Sequence, residues 1–406
     1  MALSRVALIA AVAVAVVFGA FYPALVVPDS ASYLEPARAW VRGEGLQEAP
    51  GRPLQYRLPM FPWLLGLILR VFGESVQALT LVHVALHVGA MLLARELVRR
   101  THAAAADWGA AAAIVWPPFL TATATVLQET LLAFLAALFA WALSRAADEG
   151  RAAWVFGAGA ALGAAALGKV VILPLGLPAA LLLAVAPRRS LTRPALFALG
   201  VALVVTPWAL RNRQVLGRLE LTNNNGGHTL LGGAVTNNIE DWYAFPEYRA
   251  AVAQWNAVDH RNEPVLDRYL YGVAVRRIQD DPARWLRLVA GRVVRFMLPA
   301  RHWMGQVGLS TPGTITPFFL VGAVLQGLAF AAAAALAVDV WRRRGPLVLL
   351  IGPAVVFWHL AVYALVYVSP RYNVTVGPLL AASAALCWAR WREQAPRHLR
   401  PASRAS

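Results

Sequence analysis

Long apolar runs separated by short, arginine-bearing breaks recur along most of the chain, at residues 6–27, 76–98, 108–126, 130–144, 154–168, 170–186, 194–210, 313–340, 346–368 and 374–391. A helix of about 20 such residues, rising 1.5 Å each, crosses the roughly 30 Å hydrocarbon layer. The pattern predicts an all-α, polytopic integral membrane protein with about ten crossings. One further apolar stretch, 59–72, spans only about 21 Å as a helix and is read as a re-entrant or juxtamembrane segment that does not cross.

The breaks orient the spans. Arg99 and Arg100, Arg145 and Arg151, Arg188, Arg189 and Arg193, Arg342 to Arg344 and the tail 394–406 fall on one side if 59–72 does not cross. By the positive-inside rule that side is cytoplasmic, together with both termini. The opposite face then collects Asp29, Arg57, Gln128, Glu129, Lys169, the long segment 211–301, Arg371 and Tyr372. Ionisable side chains at span ends are costly and usually line a site or cavity. The chain divides into a first membrane module, 1–210, with its loop 28–58, the outer segment 211–301, the last spans within 302–393 and the tail.

Composition narrows the classes. A mean hydropathy of +0.55 with 14% charged residues excludes a soluble nucleic-acid binder, despite a net charge of +16, because the arginines serve as orientation signals. Lys169 is the sole lysine and Cys387 the sole cysteine, so no internal disulfide can form. Nucleotide-binding, HExxH and CxxC patterns are absent from the sequence. His83 and His87 share a helix face without an evident third ligand, so no metal site is assigned. The Asn373 sequon abuts a span and leaves little room for a glycan.

In the outer segment, Arg211 and Asn212 follow Trp208, and TNNNGG at 222–227 supplies turn formers whose backbone can approach a ligand. Residues 281–299 interleave Arg284, Arg287, Arg292 and Arg295 with apolar positions, the pattern of an interfacial amphipathic helix. One carboxylate facing several cations suits group transfer from a phosphate leaving group to a hydroxyl. The acid takes the proton, and the cations hold the phosphate.

The ordered motifs PDSASYL, RLPMFPWLLGLILRVFG, VLQETLLAFL, LGKVVILPL, PWALRN followed by NNNGG, and SPRYNVTVGPLL resemble the GT-C superfamily of membrane glycosyltransferases. The likeness is to the branch of dolichyl-phosphate-mannose protein mannosyltransferases and lipid A aminoarabinose transferases. It implies Asp29 as catalytic base and Glu129 as a second acid. Lys169 would stand beside the lipid phosphate, with Arg57, Arg211 and Arg371 as its other cations and Asn212 and Tyr372 among the substrate contacts. It also implies an inverting transfer of a hexosyl or pentosyl group from a polyprenyl-phosphate sugar donor to a hydroxyl acceptor on a lipid, glycan or protein. The expected setting is the extracytoplasmic face of the inner (plasma) membrane, among membrane lipids and without nucleic acid. Some GT-C enzymes use a divalent metal beside paired acids; Asp29 lacks an adjacent acid, and no obligate metal or other cofactor is expected. A transporter or lipid flippase is the rival reading, because charges inside a bundle also mark translocation paths.

Overall fold

A computed structural model describes residues 2–185, 190–221, 223, 225–237, 245–258, 263–300 and 316–394. The tail from 395 onward, Arg188, Arg189, Thr222 and Asn224 lie outside the described residues. The protein is a polytopic, all-α membrane protein, with seven helices among the described residues long and apolar enough to span a bilayer. These are α1 (Ala2–Phe21), α4 (Val76–Arg99), α7 (Glu129–Glu149), α10 (Thr192–Leu216), α15 (Pro317–Arg342), α16 (Ile351–Val366 with the 3₁₀ turn Leu347–Leu350 before it) and α17 (Gly377–Gln394 with the 3₁₀ stretch Pro370–Val376). Shorter helices lie between them: α2 (Pro28–Val41), α3 (Met60–Phe72), α5 (Ala103–Ile114), α6 (Pro117–Leu120), α8 (Ala152–Gly168) and α9 (Gly176–Val185).

The expected continuous span 108–126 is not one helix. α5 stops at Ile114, and Pro117 and Pro118 restart the chain as the single turn α6, followed by a 3₁₀ turn over Thr121–Ala124. Proline at the first helical positions suits a new start, whereas inside α5 it would remove a helical hydrogen bond. Helices α8 and α9 are shorter than the span-length set, being parted by Lys169 and the proline-bearing turn Val170–Leu175.

The centre of the bundle is α7, with 78% of its apolar window buried, against 22% for the peripheral α1. α8 meets α10 at backbone distance, because a Cβ on Gly159 would lie 2.0 Å from Phe197 O and one on Gly200 2.4 Å from Phe156 O. Small residues permit such close packing in lipid. At one end of the bundle Arg145 contacts Glu149 at 2.7 Å, Arg100 bridges Asp148 and Glu149, and Arg151 stands 3.7 Å from Glu149. Nearby in sequence, Asp107 ties α5 to α1 and α4 through Ser4 at 2.9 Å and Arg95 at 2.6 Å.

Outside the spans, α11 (Gly226–Val235), α12 (Pro246–Val258) and α13 (Glu263–Asp280) share a small core around Leu231, Tyr248 and Leu270. Helix α14 (Pro282–Met297) follows, and its burial inverts part of the amphipathic expectation. Leu286 and Val294 are exposed, while Arg292 is fully buried. The Arg292 guanidinium donates to Asn237 Oδ1 at 2.8 Å, to Ala364 O and Val366 O at 3.0 Å each, and to Gly233 O. Five donors meeting carbonyls left unpaired at helix ends explain how the charge is accommodated.

Candidate active site

Two chain segments bring the site acids together. After α1, Leu25 pairs with Thr125 in a short parallel bridge, with Leu25 N donating to Ala124 O at 2.9 Å and Val126 N to Leu25 O at 3.0 Å. Ser30 Oγ adds a bond to Val126 O at 2.8 Å. Asp29 therefore opens α2 next to the segment that leads into Glu129, the first residue of α7. A carboxylate in the first turn of a helix is also favoured by the helix dipole.

Arg57 is delivered by a hairpin of β1 (Gln47–Ala49) and β2 (Arg52–Pro53). Glu48 Oε1 accepts from Gln55 N at 2.7 Å and from Tyr56 N, and Asn223 Nδ2 donates to Tyr56 O at 3.0 Å. The arginine that follows reaches Asp29 Oδ1 with Nη2 at 3.2 Å and Ser32 Oγ with Nε at 2.9 Å, its guanidinium over the Tyr33 ring at 4.6 Å. Arg371, from the 3₁₀ stretch that opens the last span, donates to Asp29 Oδ2 at 2.6 Å and lies 3.3 Å from Glu129 Oε1. Asn373 fixes that stretch by donating to Phe296 O at 2.9 Å and Leu298 O at 2.7 Å, and its burial leaves its sequon closed to a glycan.

Lys169 ends α8 with Nζ 3.5 Å from the Tyr372 ring centre and 4.9 Å from that of Tyr363. A cation against two aromatic faces is partly compensated by their quadrupoles. Arg57, Glu129, Lys169, Arg371 and Tyr372 all line one cavity of about 180 Å³. Asp29 stands at its edge through its two arginines. Asn223, Asn225 and Thr229 add amide and hydroxyl groups from the start of α11. Glu129 Oε2 and the Tyr363 hydroxyl, both from cavity-lining residues, have no hydrogen-bond partner among the described residues.

The electrostatics follow from burial and neighbours. Burial acts to raise the Asp29 carboxyl, but Arg371 and Arg57 outweigh it and hold the pKa below the usual carboxylate range. Burial pushes the Lys169 ammonium down to about 7. Two arginines balance the two carboxylates, and Lys169, once protonated, adds the positive charge that matches a phosphodiester.

Six of the eight sequence-derived site residues thus meet, namely Asp29, Arg57, Glu129, Lys169, Arg371 and Tyr372. Arg211 and Asn212 do not join them. Arg211 donates to Leu54 O at 2.9 Å, Leu46 O at 3.1 Å and Asn212 Oδ1 at 3.0 Å, while Asn212 Nδ2 holds Glu220 O at 2.8 Å. Arg211 clasps the base of the hairpin and lines a different cavity. Sequence reasoning missed Tyr33 and Tyr363, whose only signal is a phenol set among apolar residues close to a charged span end. His83 and His87 are buried, bonding Thr130 Oγ1 at 3.0 Å and Ile114 O at 2.9 Å.

Residues 52–210 match the family model of dolichyl-phosphate-mannose-protein mannosyltransferase. Over 96% of the chain, the fold matches the crystal structure of an oligosaccharyltransferase from Archaeoglobus fulgidus in complex with Zn and sulfate, with a TM-score of 0.54 and 17% identity. The chain shares the fold of this membrane oligosaccharyltransferase. This chain covers 49% of that neighbour, about half its length. ArnT from Cupriavidus metallidurans bound to undecaprenyl phosphate matches over 94% of this chain and 76% of its own, with a TM-score of 0.43 and 19% identity. No curated protein matches the chain significantly in sequence.

Proposed function

We propose that the protein transfers a sugar from a polyprenyl-phosphate donor to a hydroxyl acceptor at the extracytoplasmic face of the inner membrane, with inversion at the anomeric carbon. The observation that carries this reading is the Asp29 carboxylate bridged by Arg57 and Arg371 at the edge of a cavity that also holds Lys169. An Asp29 bound to two arginines is a weak base. A donor phosphate arriving in the cavity competes for those arginines, and as they turn to it the Asp29 pKa rises towards that of an effective base.

The acceptor hydroxyl then gives its proton to Asp29 as its oxygen attacks the anomeric carbon. The bond to the phosphate oxygen breaks on the opposite side, and its electron pair stays on the phosphate, which Arg57, Arg371 and Lys169 hold. One displacement at one carbon inverts it. Glu129, buried behind Arg371, keeps that guanidinium in place when Asp29 releases it. Asn223, Asn225 and Thr229 are the groups suited to sugar hydroxyls.

The test is sugar release from synthetic polyprenyl-phosphate sugars by the protein in nanodiscs, with Asp29→Asn alongside. Turnover confined to the unsubstituted protein supports the proposal. Turnover preserved in the variant overturns the role of Asp29, and folded protein inert with every donor favours transport.

A further inference from the structure

A second cavity, of about 490 Å³, lies against the hairpin, lined by Trp40, Trp63, Trp208, Arg211, Gln47 and Val215 among others. Trp40 stands near the end of α2, about 16 Å along the helix from Asp29. The chamber is therefore separate from the site described above. Its walls are mainly indole and aliphatic, and Val215 opens it to the surroundings at 46% exposure. Two polar features are left over. Trp208 is 3% exposed, and its Nε1–H has no acceptor among the described residues. Arg211, its guanidinium 4.7 Å from the Trp208 ring centre, has no carboxylate in ion-pair range among the described residues, and three hydrogen bonds leave part of its five-donor fork free.

The nearby acids are already engaged. Glu44, at the rim, is gripped through both oxygens by Arg42 at 2.8 Å. Glu48 is occupied by the amides of Gln55 and Tyr56. The guanidinium is thus a partly buried positive charge at the end of a span, among tryptophans, beside an apolar chamber large enough for the headgroup end of a lipid. Tryptophan prefers the membrane interface, and arginine there attracts lipid phosphates. We infer that this cavity seats an anionic phospholipid, with its phosphate on Arg211 and the Trp208 indole N–H and its glycerol and upper acyl segments against Trp40 and Trp63. A free phosphate would leave the apolar walls unused, so the lipid is the occupant. The inference stands whether or not the chain is a transferase.

The test is native mass spectrometry of the full-length protein, purified in mild detergent with equimolar phosphatidylglycerol and phosphatidylcholine. The unsubstituted protein is expected to retain phosphatidylglycerol over phosphatidylcholine. Arg211→Gln should weaken that retention by about tenfold or more, the worth of one charge-assisted hydrogen bond, and Arg211→Lys should preserve most of it. The Arg211-dependent lipid should persist in Lys169→Ala, which empties the other cavity of its lysine. Equal retention of both lipids, retention unchanged in Arg211→Gln, or its loss in Lys169→Ala overturns the inference. Arg211→Gln also frees Leu54 and Leu46, so Trp63→Leu, which leaves those bonds intact, provides a second arm. Several-fold weaker retention there supports the site, and unchanged retention counts against it.

Discussion

Two clusters of the same formal charge sit at different places in this molecule. Arg100, Arg145 and Arg151 gather around Asp148 and Glu149, and Arg57, Lys169 and Arg371 gather around Asp29 and Glu129. In the first cluster the arginine side chains are 30–74% exposed, whereas Arg57 and Arg371 are 15% exposed and Glu129 is 4%. The first forms a solvated surface, and the second lines a cavity. Charge count and position at a span end are therefore the same in both clusters; what separates them is the burial of the arginines and the cavity, since Asp29 at 40% is nearly as exposed as Asp148 at 43%.

The comparison can be broken most severely at Asp29. Asp29→Asn should cut sugar transfer by about a hundredfold or more, as for loss of a general base, while donor binding persists in a filtration assay. Arg371→Gln removes the guanidinium nearest buried Glu129, leaving Arg57 and Lys169 as the cations of the same cavity, and should lower the unfolding free energy in denaturant titrations by about 3 kcal/mol. Gly159→Ala tests the frame rather than the charges. Its methyl meets Phe197 O at 2.0 Å, so α8 and α10 must part, and thermal scans should register a loss of about 1–3 kcal/mol.

The pH dependence sharpens the contrast. Lys169, pushed down to about 7, regains its proton when a phosphate binds, so donor affinity should fall as pH rises above 7, by up to about tenfold per unit. Asp29, held low by its arginines in the free enzyme, is freed once they grip the donor. The acid limb of kcat should therefore lie at higher pH than that of kcat/KM. Coincident limbs would remove the partner exchange from the mechanism. At the other end, Arg151→Ala should change stability by less than about 1 kcal/mol, as for exposed pairs, and leave transfer untouched.

The all-α membrane architecture was legible because span length and apolar runs are tied by simple geometry. The convergence of Asp29, Glu129, Lys169 and Arg371 was legible because a charge at the mouth of an apolar helix needs a reason. Arg211 satisfied the same criterion yet turns to hairpin carbonyls, since sequence locates a guanidinium along a helix without giving its direction. Pro117 and Pro118 carried the signal that 108–126 is broken, but its apolar content masked them. Arg292 shows a similar limit. Its arginine-rich helix reads as a headgroup-facing surface until the carbonyls that enclose the side chain are placed.

Arg292 also has a mechanical consequence. It grips Gly233 at the end of α11 and the last carbonyls of α16, and these two helices supply Gly226 and Thr229 on one wall of the cavity and Val362, Tyr363 and Val366 on another. A side chain outside the chamber thus rivets two of its walls into a single plate.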